Sequence, residues 1–177
     1  MLPMSKQNKT AQKEIAQEFG LNILETPEIY KVTINVGVGQ HKESKEDCEK
    51  VESELAQITG QKPRFTCAKK SIAGFKTRKG EKVGYSVTLR GSKMWDFISR
   101  FINIVLPRLR DFEGVPAKNF DKNMNFTYPV REQMIFPEIN PNNVKFSWGM
   151  SISFSLKNTK KKDVAESYLK KIGFILK

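Results

Sequence analysis

The sequence predicts an α+β domain: helices packed on one face of a mainly antiparallel sheet, with a long basic hairpin loop. Three observations lead there. Stretches with helical apolar spacing alternate with stretches of period two, the first two helical stretches stop at glycines, and two period-two stretches flank one loop as a hairpin would. The order read along the chain is helix, strand, helix, hairpin, helix, loop, strand, helix. Residues 1–20 are expected to form an N-terminal helical arm and residues 21–177 one α+β domain.

From Lys6 to Phe19 the pattern is polar, with Ile15 and Phe19 four apart and Gly20 placed to end a short helix. One thin apolar stripe makes that helix marginal alone. Between Glu28 and Val38, Val32, Ile34 and Val36 alternate with Thr33 and Asn35, which predicts a strand with one buried face that Gly37 and Gly39 end. Those two glycines fit either a turn or a close approach of backbone to another surface. Ser44 can cap the next helix, where Cys48, Val51, Leu55 and Ile58 form one stripe and Gly60 stops it, so Cys48 is expected in the core. Arg64 to Ala68 and Val83 to Arg90 form the strand pair.

Ser92 is the expected cap of a helix whose face is Met94, Ile98, Phe101 and Val105, widened by Trp95, Phe97 and Ile102, with Pro107 ending or kinking it. Asp111 to Asn143 reads as loop, carrying Pro116, Pro129, Pro137 and Pro141 and one extended piece near Phe126 to Val130. Met150, Ile152, Phe154 and Leu156 then alternate with Ser151, Ser153 and Ser155, the clearest strand pattern in the chain. Lys160 to Lys171 closes as a helix with Val164, Tyr168, Leu169 and Ile172 inward.

The 177 residues carry 31 Lys and Arg against 19 Asp and Glu, a formal charge of +12. A chain this size repels itself at that charge unless a polyanion meets it, so nucleic acid is the expected partner and an anionic membrane surface the weaker one. Twelve Phe and two Trp allow a real core, which excludes a disordered basic tail. Cys48 and Cys67 stand alone, so neither a disulfide framework nor a four-ligand zinc site is indicated, and a reducing compartment is expected. No apolar run approaches the roughly 18–20 residues of a membrane span. The first 20 residues have no apolar signal core, and with lysines, no Arg, Glu14 and Glu18 they fit a transit peptide poorly. With 24 Lys to 7 Arg, 14 Ile and 11 Asn, the residue usage favours A- and T-rich codons, which points to a mitochondrial genome or, as the alternative, a low-GC bacterium.

Catalysis finds little to work with. The single histidine, His41, sits in a polar turn beside Lys42 and Glu43, and Asp111, Glu113, Glu132 and Glu138 are scattered among prolines. Gly37 and Gly39 lack the third glycine and following helix of a dinucleotide fingerprint, and no Gly-Lys-Ser/Thr phosphate loop occurs. No cofactor or metal is therefore expected. The strongest local signal is Cys67 to Gly84, where Lys69, Lys70, Lys76, Arg78, Lys79 and Lys82 meet one acid, Glu81, with Phe75 among them. A solvated hairpin is one reading; the sharper one is an arm that touches RNA phosphates through its cations while Phe75 packs or stacks. Lys160 to Lys162 is less specific, since lysines opening a helix oppose its dipole. The polar strand faces, with Thr33, Asn35, Ser86, Thr88, Arg90 and Ser151 to Ser155, fit either a solvated sheet or one laid against a phosphate backbone.

Several runs then match a known family in its own order: Ile34 to Gly39 (INVGVG), Gly60 to Pro63 (GQKP), Lys69 to Lys76 (KKSIAGFK), Val87 to Gly91 (VTLRG), Met94-Trp95, Pro107 to Phe112 (PRLRDF) and Arg131 to Ile139 (REQMIFPEI). Together they resemble ribosomal protein L five of the large subunit, in its bacterial-type branch, over about residues 15 to 177. The resemblance implies a structural, non-catalytic protein of the central protuberance that binds 5S rRNA and anchors it to large-subunit rRNA. It implies rRNA contacts at Asn35, Gly37, Gln61, Lys62, Thr88 and Arg90. It further implies a loop facing the peptidyl-site tRNA through Lys69, Lys70, Phe75, Lys76, Arg78, Lys79 and Lys82, and a middle region, Asp111 to Ile139, near small-subunit protein S thirteen. Neither a membrane nor a second copy of the chain is an expected partner. The chain departs from the family at Phe120 to Phe126, where a glycine-rich stretch is usual, and at the charged segment Gln40 to Asp47. These departures and the codon usage point to a mitochondrial ribosome, with the cytoplasm of an AT-rich bacterium as the alternative. Two other functions compete: a free RNA-binding regulator, and an RNA-modifying enzyme, which would need a cofactor pocket the sequence does not display.

Overall fold

The structure, a computed structural model, describes residues 4–39, 44–109, 114, 119–159 and 161–176. His41, Asp111, Glu113 and Lys160 lie outside the described residues. The elements are α1 (Met4–Phe19), β1 (Glu28–Gly37), α2 (Lys45–Thr59), β2 (Arg64–Cys67), β3 (Lys82–Leu89), α3 (Gly91–Arg100), β4 (Phe126–Val130), β5 (Met150–Lys157) and α4 (Lys162–Ile172). Five strands form one antiparallel sheet in the order β2-β3-β1-β5-β4, so the fold is α+β as the alternating periodicities imply. The chain divides into two compact units: Met1–Val32, Leu89–Tyr128 and Ile152–Lys177 form the first, Thr33–Thr88 and Pro129–Ser151 the second.

In the first unit α1 buries Met4, Asn8, Ala11 and Ile15, the spacing of one helical face, and packs it against α4. The stripe that is too thin alone is completed there. Tyr168 of α4 is fully buried; its hydroxyl donates to Asn8 Oδ1 at 2.5 Å and accepts from the Ile29 N–H at 3.2 Å. Lys171 Nζ reaches Glu18 at 2.9 Å and Glu14 at 3.2 Å, which ties the exposed edges of the two helices. The core is aromatic: Phe101 lies 5.6 Å from Phe154 and 6.1 Å from Phe97, and Phe154 lies 5.2 Å from Phe174 and 5.8 Å from Phe126 between ring centres.

Two departures from simple periodicity have local causes. Ile29 and Val32 are both buried although three apart, so β1 changes face between them, and the Tyr168 hydroxyl is the partner that accepts the Ile29 N–H. Helix α3 runs on as a π-helical turn, Phe101–Val105, and a last turn, Leu106–Arg108; the Leu106 N–H donates to Phe101 O, five residues back. Pro107 has no N–H, and the helix stops one residue after it. Ser92 does not cap α3: Arg90 occupies the cap position and no side chain closes that end.

In the second unit the caps of α2 are the expected ones. Ser44 Oγ accepts the Asp47 N–H at 3.2 Å, and Gly60 takes the left-handed conformation, φ 64°, that a residue with a Cβ adopts only at a cost. Val51, Leu55 and Ile58 are fully buried, but Cys48 is only half-buried, a correction to its expected place in the core. Buried instead is Glu54, whose Oε2 accepts the Trp148 indole N–H at 2.8 Å. Gln133, also buried, donates to Phe146 O and accepts the Trp148 N–H at 2.9 Å, so one amide holds both ends of that turn.

Candidate nucleic-acid interface

Within the second unit, Ile34 and Val36 of β1 and Tyr85 and Val87 of β3 are buried, which turns Thr33, Asn35 and Gly37, and Ser86 and Thr88, to the opposite face. Asn35, Gly37 and Thr88 are exposed; Thr33 and Ser86 are half-buried. The Asn35 amide makes no hydrogen bond among the described residues, so its donors and acceptor remain available. Gln61, the residue after the Gly60 cap, is exposed and reaches this region: its Nε2 donates to Thr88 O at 3.3 Å, and its N–H donates to Thr59 Oγ1 at 3.3 Å. Lys62 follows it, also exposed.

Gly37 and Gly39 are not held by the chain itself. Neither has a positive φ, and a Cβ at either would meet nothing within 4 Å. The glycine that the local structure requires is Gly84, where a Cβ would sit 2.5 Å from Val36 O. Close approach of β3 to β1 fixes that position, a constraint no local pattern announces.

The hairpin brings in residues that the sequence did not single out. Arg64 stands directly opposite Ser86, and Thr66 opposite Gly84, so both project from the same face as Ser86 and Thr88. All four residues of β2 are exposed. The alternation of Arg64 and Thr66 with Phe65 and Cys67 was the available signal, but only the register says which pair shares the polar face.

The polar face does not extend to β5 as expected. In the first unit Ser155 is buried and the Ser153 hydroxyl is bonded to Thr127 at 3.0 Å, which leaves only Ser151 of the three in the role read for it. Arg90 also belongs to the first unit, exposed at the start of α3.

The basic loop is an arm with its own backbone scaffold. Ala68 and Glu81 N–H groups donate to Glu81 O and Arg78 O, the Arg78 N–H donates to the Glu81 carboxylate at 2.8 Å, and the Lys79 N–H donates to Ser71 Oγ at 3.0 Å. A one-turn helix, Ala73–Phe75, forms the tip, closed by an Ile72–Thr77 bridge. Lys69, Lys70, Lys76, Arg78, Lys79 and Lys82 are all exposed, as are Ile72 at 50% and Phe75 at 75%. Lys82 differs from the rest, since its Nζ lies 4.9 Å over the Phe65 ring.

Among the described residues of the second unit, two titratable groups, Cys48 and Tyr85, are shifted, both upward. Burial first, then the Asp47 charge, pushes the Cys48 thiol up, which makes it a poorer nucleophile at neutral pH. Burial and the neighbouring Glu52 push Tyr85 up as well. Among the described residues no three His, Cys, Asp or Glu side chains converge to hold a metal, and no helix is long and apolar enough to cross a membrane. What the face and the arm offer is hydroxyls, amides and cations.

Two family models cover most of the chain: one described as ribosomal protein L5 matches residues 22–78, and one described as the C-terminus of the same ribosomal family matches residues 82–175. A large ribosomal subunit protein uL5 of Heliobacterium modesticaldum is 44% identical over 158 residues, 89% of this chain and 87% of that protein. Its counterpart in Streptococcus thermophilus is 49% identical over 131 residues, 74% of this chain and 73% of that one. Matches of that extent leave one assignment: the chain belongs to the ribosomal protein L5 family, whose members are structural, non-enzymatic proteins of the ribosome.

Proposed function

We propose that this chain is a constituent of the large ribosomal subunit that binds 5S rRNA through the exposed face of β1 and β3, with Asn35, Gly37, Gln61, Lys62 and Thr88 in contact and Arg90 adding a further cation toward the RNA. The single observation that carries the reading is the exposed Asn35 amide and Thr88 on one strand face, with Gln61 hydrogen-bonded to Thr88 O. Such a face recognises folded RNA by backbone and shape, with short donors that approach phosphate and ribose closely. Large-subunit rRNA is the second RNA partner. The arm, with Lys69, Lys70, Phe75, Lys76, Arg78, Lys79 and Lys82, reaches toward the peptidyl-site tRNA, and the region after Asp111 toward small-subunit protein S thirteen. Residues 1–20 act as an arm on the α+β domain of residues 21–177. The residue usage supports a mitochondrial ribosome as the location over the cytoplasm of an AT-rich bacterium; fractionation of host cells into mitochondria and cytosol, probed for this chain, decides between them.

The test is a salt-titrated competition between the host's 5S rRNA and an unrelated duplex RNA of equal length. Preference for 5S rRNA that survives moderate salt is the expected result. Equal binding that fades in step with salt, at a slope set only by the number of phosphates neutralised, would leave a basic patch and favour a free RNA-binding regulator. Sedimentation of the native chain with the large subunit after a salt wash separates the same two readings independently.

A further inference from the structure

We infer that the RNA-facing surface extends across a third strand to the free edge of the sheet, and that Arg64 of β2 is a phosphate-binding residue there. The inference rests on the proposed 5S rRNA reading and adds a contact to it. Strand β2 is the outermost strand, its four residues are all exposed, and its register with β3 sets Arg64 across from Ser86. Among the described residues of that face of the second unit, Thr33, Asn35, Gly37, Thr66, Ser86 and Thr88 offer hydroxyls, an amide and a bare backbone, and none of them is acidic. Arg64 makes no ion pair among the described residues. It is therefore a guanidinium with unused donors, at the rim of a face lined by hydroxyls and an amide.

An arginine on an edge strand also has a plain purpose, since charge there blocks pairing with another chain. Either face of β2 would serve that purpose equally. The register puts the charge on the hydroxyl-lined face, while the cation on the other side, Lys82, is already engaged by the Phe65 ring. The residue type fits as well. The chain uses lysine for 24 of its 31 cations, yet here it has the planar fork that binds a phosphate through two parallel N–H donors.

The experiment uses the full chain, the host's 5S rRNA and the duplex competitor. Arg64→Ala is expected to weaken 5S rRNA binding about tenfold, the loss of one charge-assisted bidentate contact. It should also flatten the dependence of log K on log salt by roughly 0.7–0.9, one phosphate's worth. Arg64→Lys should restore the slope but not all of the affinity. Lys9→Ala removes the same charge from an exposed site on α1 and is expected to leave the slope unchanged. If wild type prefers 5S rRNA and Arg64→Ala binds it equally well with the same slope, the inference is overturned and the 5S reading stands. If Lys9→Ala flattens the slope as much as Arg64→Ala, net charge is the cause and the inference again falls. If wild type shows no preference for 5S rRNA, the 5S reading itself fails and takes the inference with it.

Discussion

The aromatic core of the first unit and the basic arm of the second use the same residue for opposite ends. Phe97, Phe101, Phe126, Phe154 and Phe174 are buried with ring centres 5.2 to 6.4 Å apart, whereas Phe65 and Phe75 stand 51% and 75% exposed. No residue from Arg64 to Val83 is buried, so the arm has no core and its shape rests on backbone hydrogen bonds and short turns. Rings that meet other rings stabilise the fold; the two arm rings keep much of their surface in water, Phe65 with Lys82 over one face. Mutations in the first region should therefore cost stability without touching RNA affinity directly, and mutations in the second should do the reverse.

The sharpest way to break this contrast is Phe101→Ala, expected to lower unfolding free energy by about 3–5 kcal/mol in a denaturant titration because four neighbouring rings lose their shared partner. A negligible loss would remove Phe101 from the core. Tyr168→Phe comes next, at about 1–3 kcal/mol, since it leaves Asn8 Oδ1 and the Ile29 N–H buried without their partner. Burial also pushes the Tyr168 hydroxyl well above the ordinary tyrosine value, so an unfolded chain releases that proton first as pH rises. The folded state then holds more protons, and stability falls as pH climbs through about 10. Melting curves measured above and below that pH should show a smaller alkaline loss in Tyr168→Phe than in wild type.

At the other end of the scale, neutralising Lys76, Arg78 and Lys79 together should change stability by less than about 0.5 kcal/mol, because all three are exposed. The arm reading expects those variants to retain 5S rRNA binding and lose affinity for tRNA in the peptidyl site of assembled ribosomes; a matching loss of 5S rRNA affinity would show that face and arm form one surface. Phe75→Ala is the finest probe. It should leave the melt unchanged and weaken tRNA contact with no change in salt slope, since an uncharged ring releases no counterions. A changed slope would mean the ring merely positions its lysine neighbours.

Most of the fold was legible because one buried face imposes a period. Ile34 and Val36, Val87 and Leu89, and Ile152 and Phe154 could be assigned from alternation, and Ser44 and Gly60 from the chemistry of helix ends. What escaped depended on partners far away in sequence. Cys48 fits its stripe by spacing yet is only half-buried, while Glu54, off the stripe, is buried because Trp148 supplies a donor. Ser155 alternates as a surface residue should and is nevertheless covered. At the candidate site, Asn35 and Thr88 came from alternation and family resemblance together, but Arg64 needed the hairpin register, which no count along a single strand provides.

The Tyr168 hydroxyl has a consequence for how the chain is made. It joins groups 160 and 139 residues away, on α1 and β1, so the part of the α1 face that α4 covers stays open until α4 has been made. A nascent chain of this protein therefore carries α1 without its α4 partner through most of its synthesis, and the first unit is complete only once α4 has emerged. A chain that stops short of Tyr168 leaves the Asn8 amide and the Ile29 N–H without the hydroxyl that joins them.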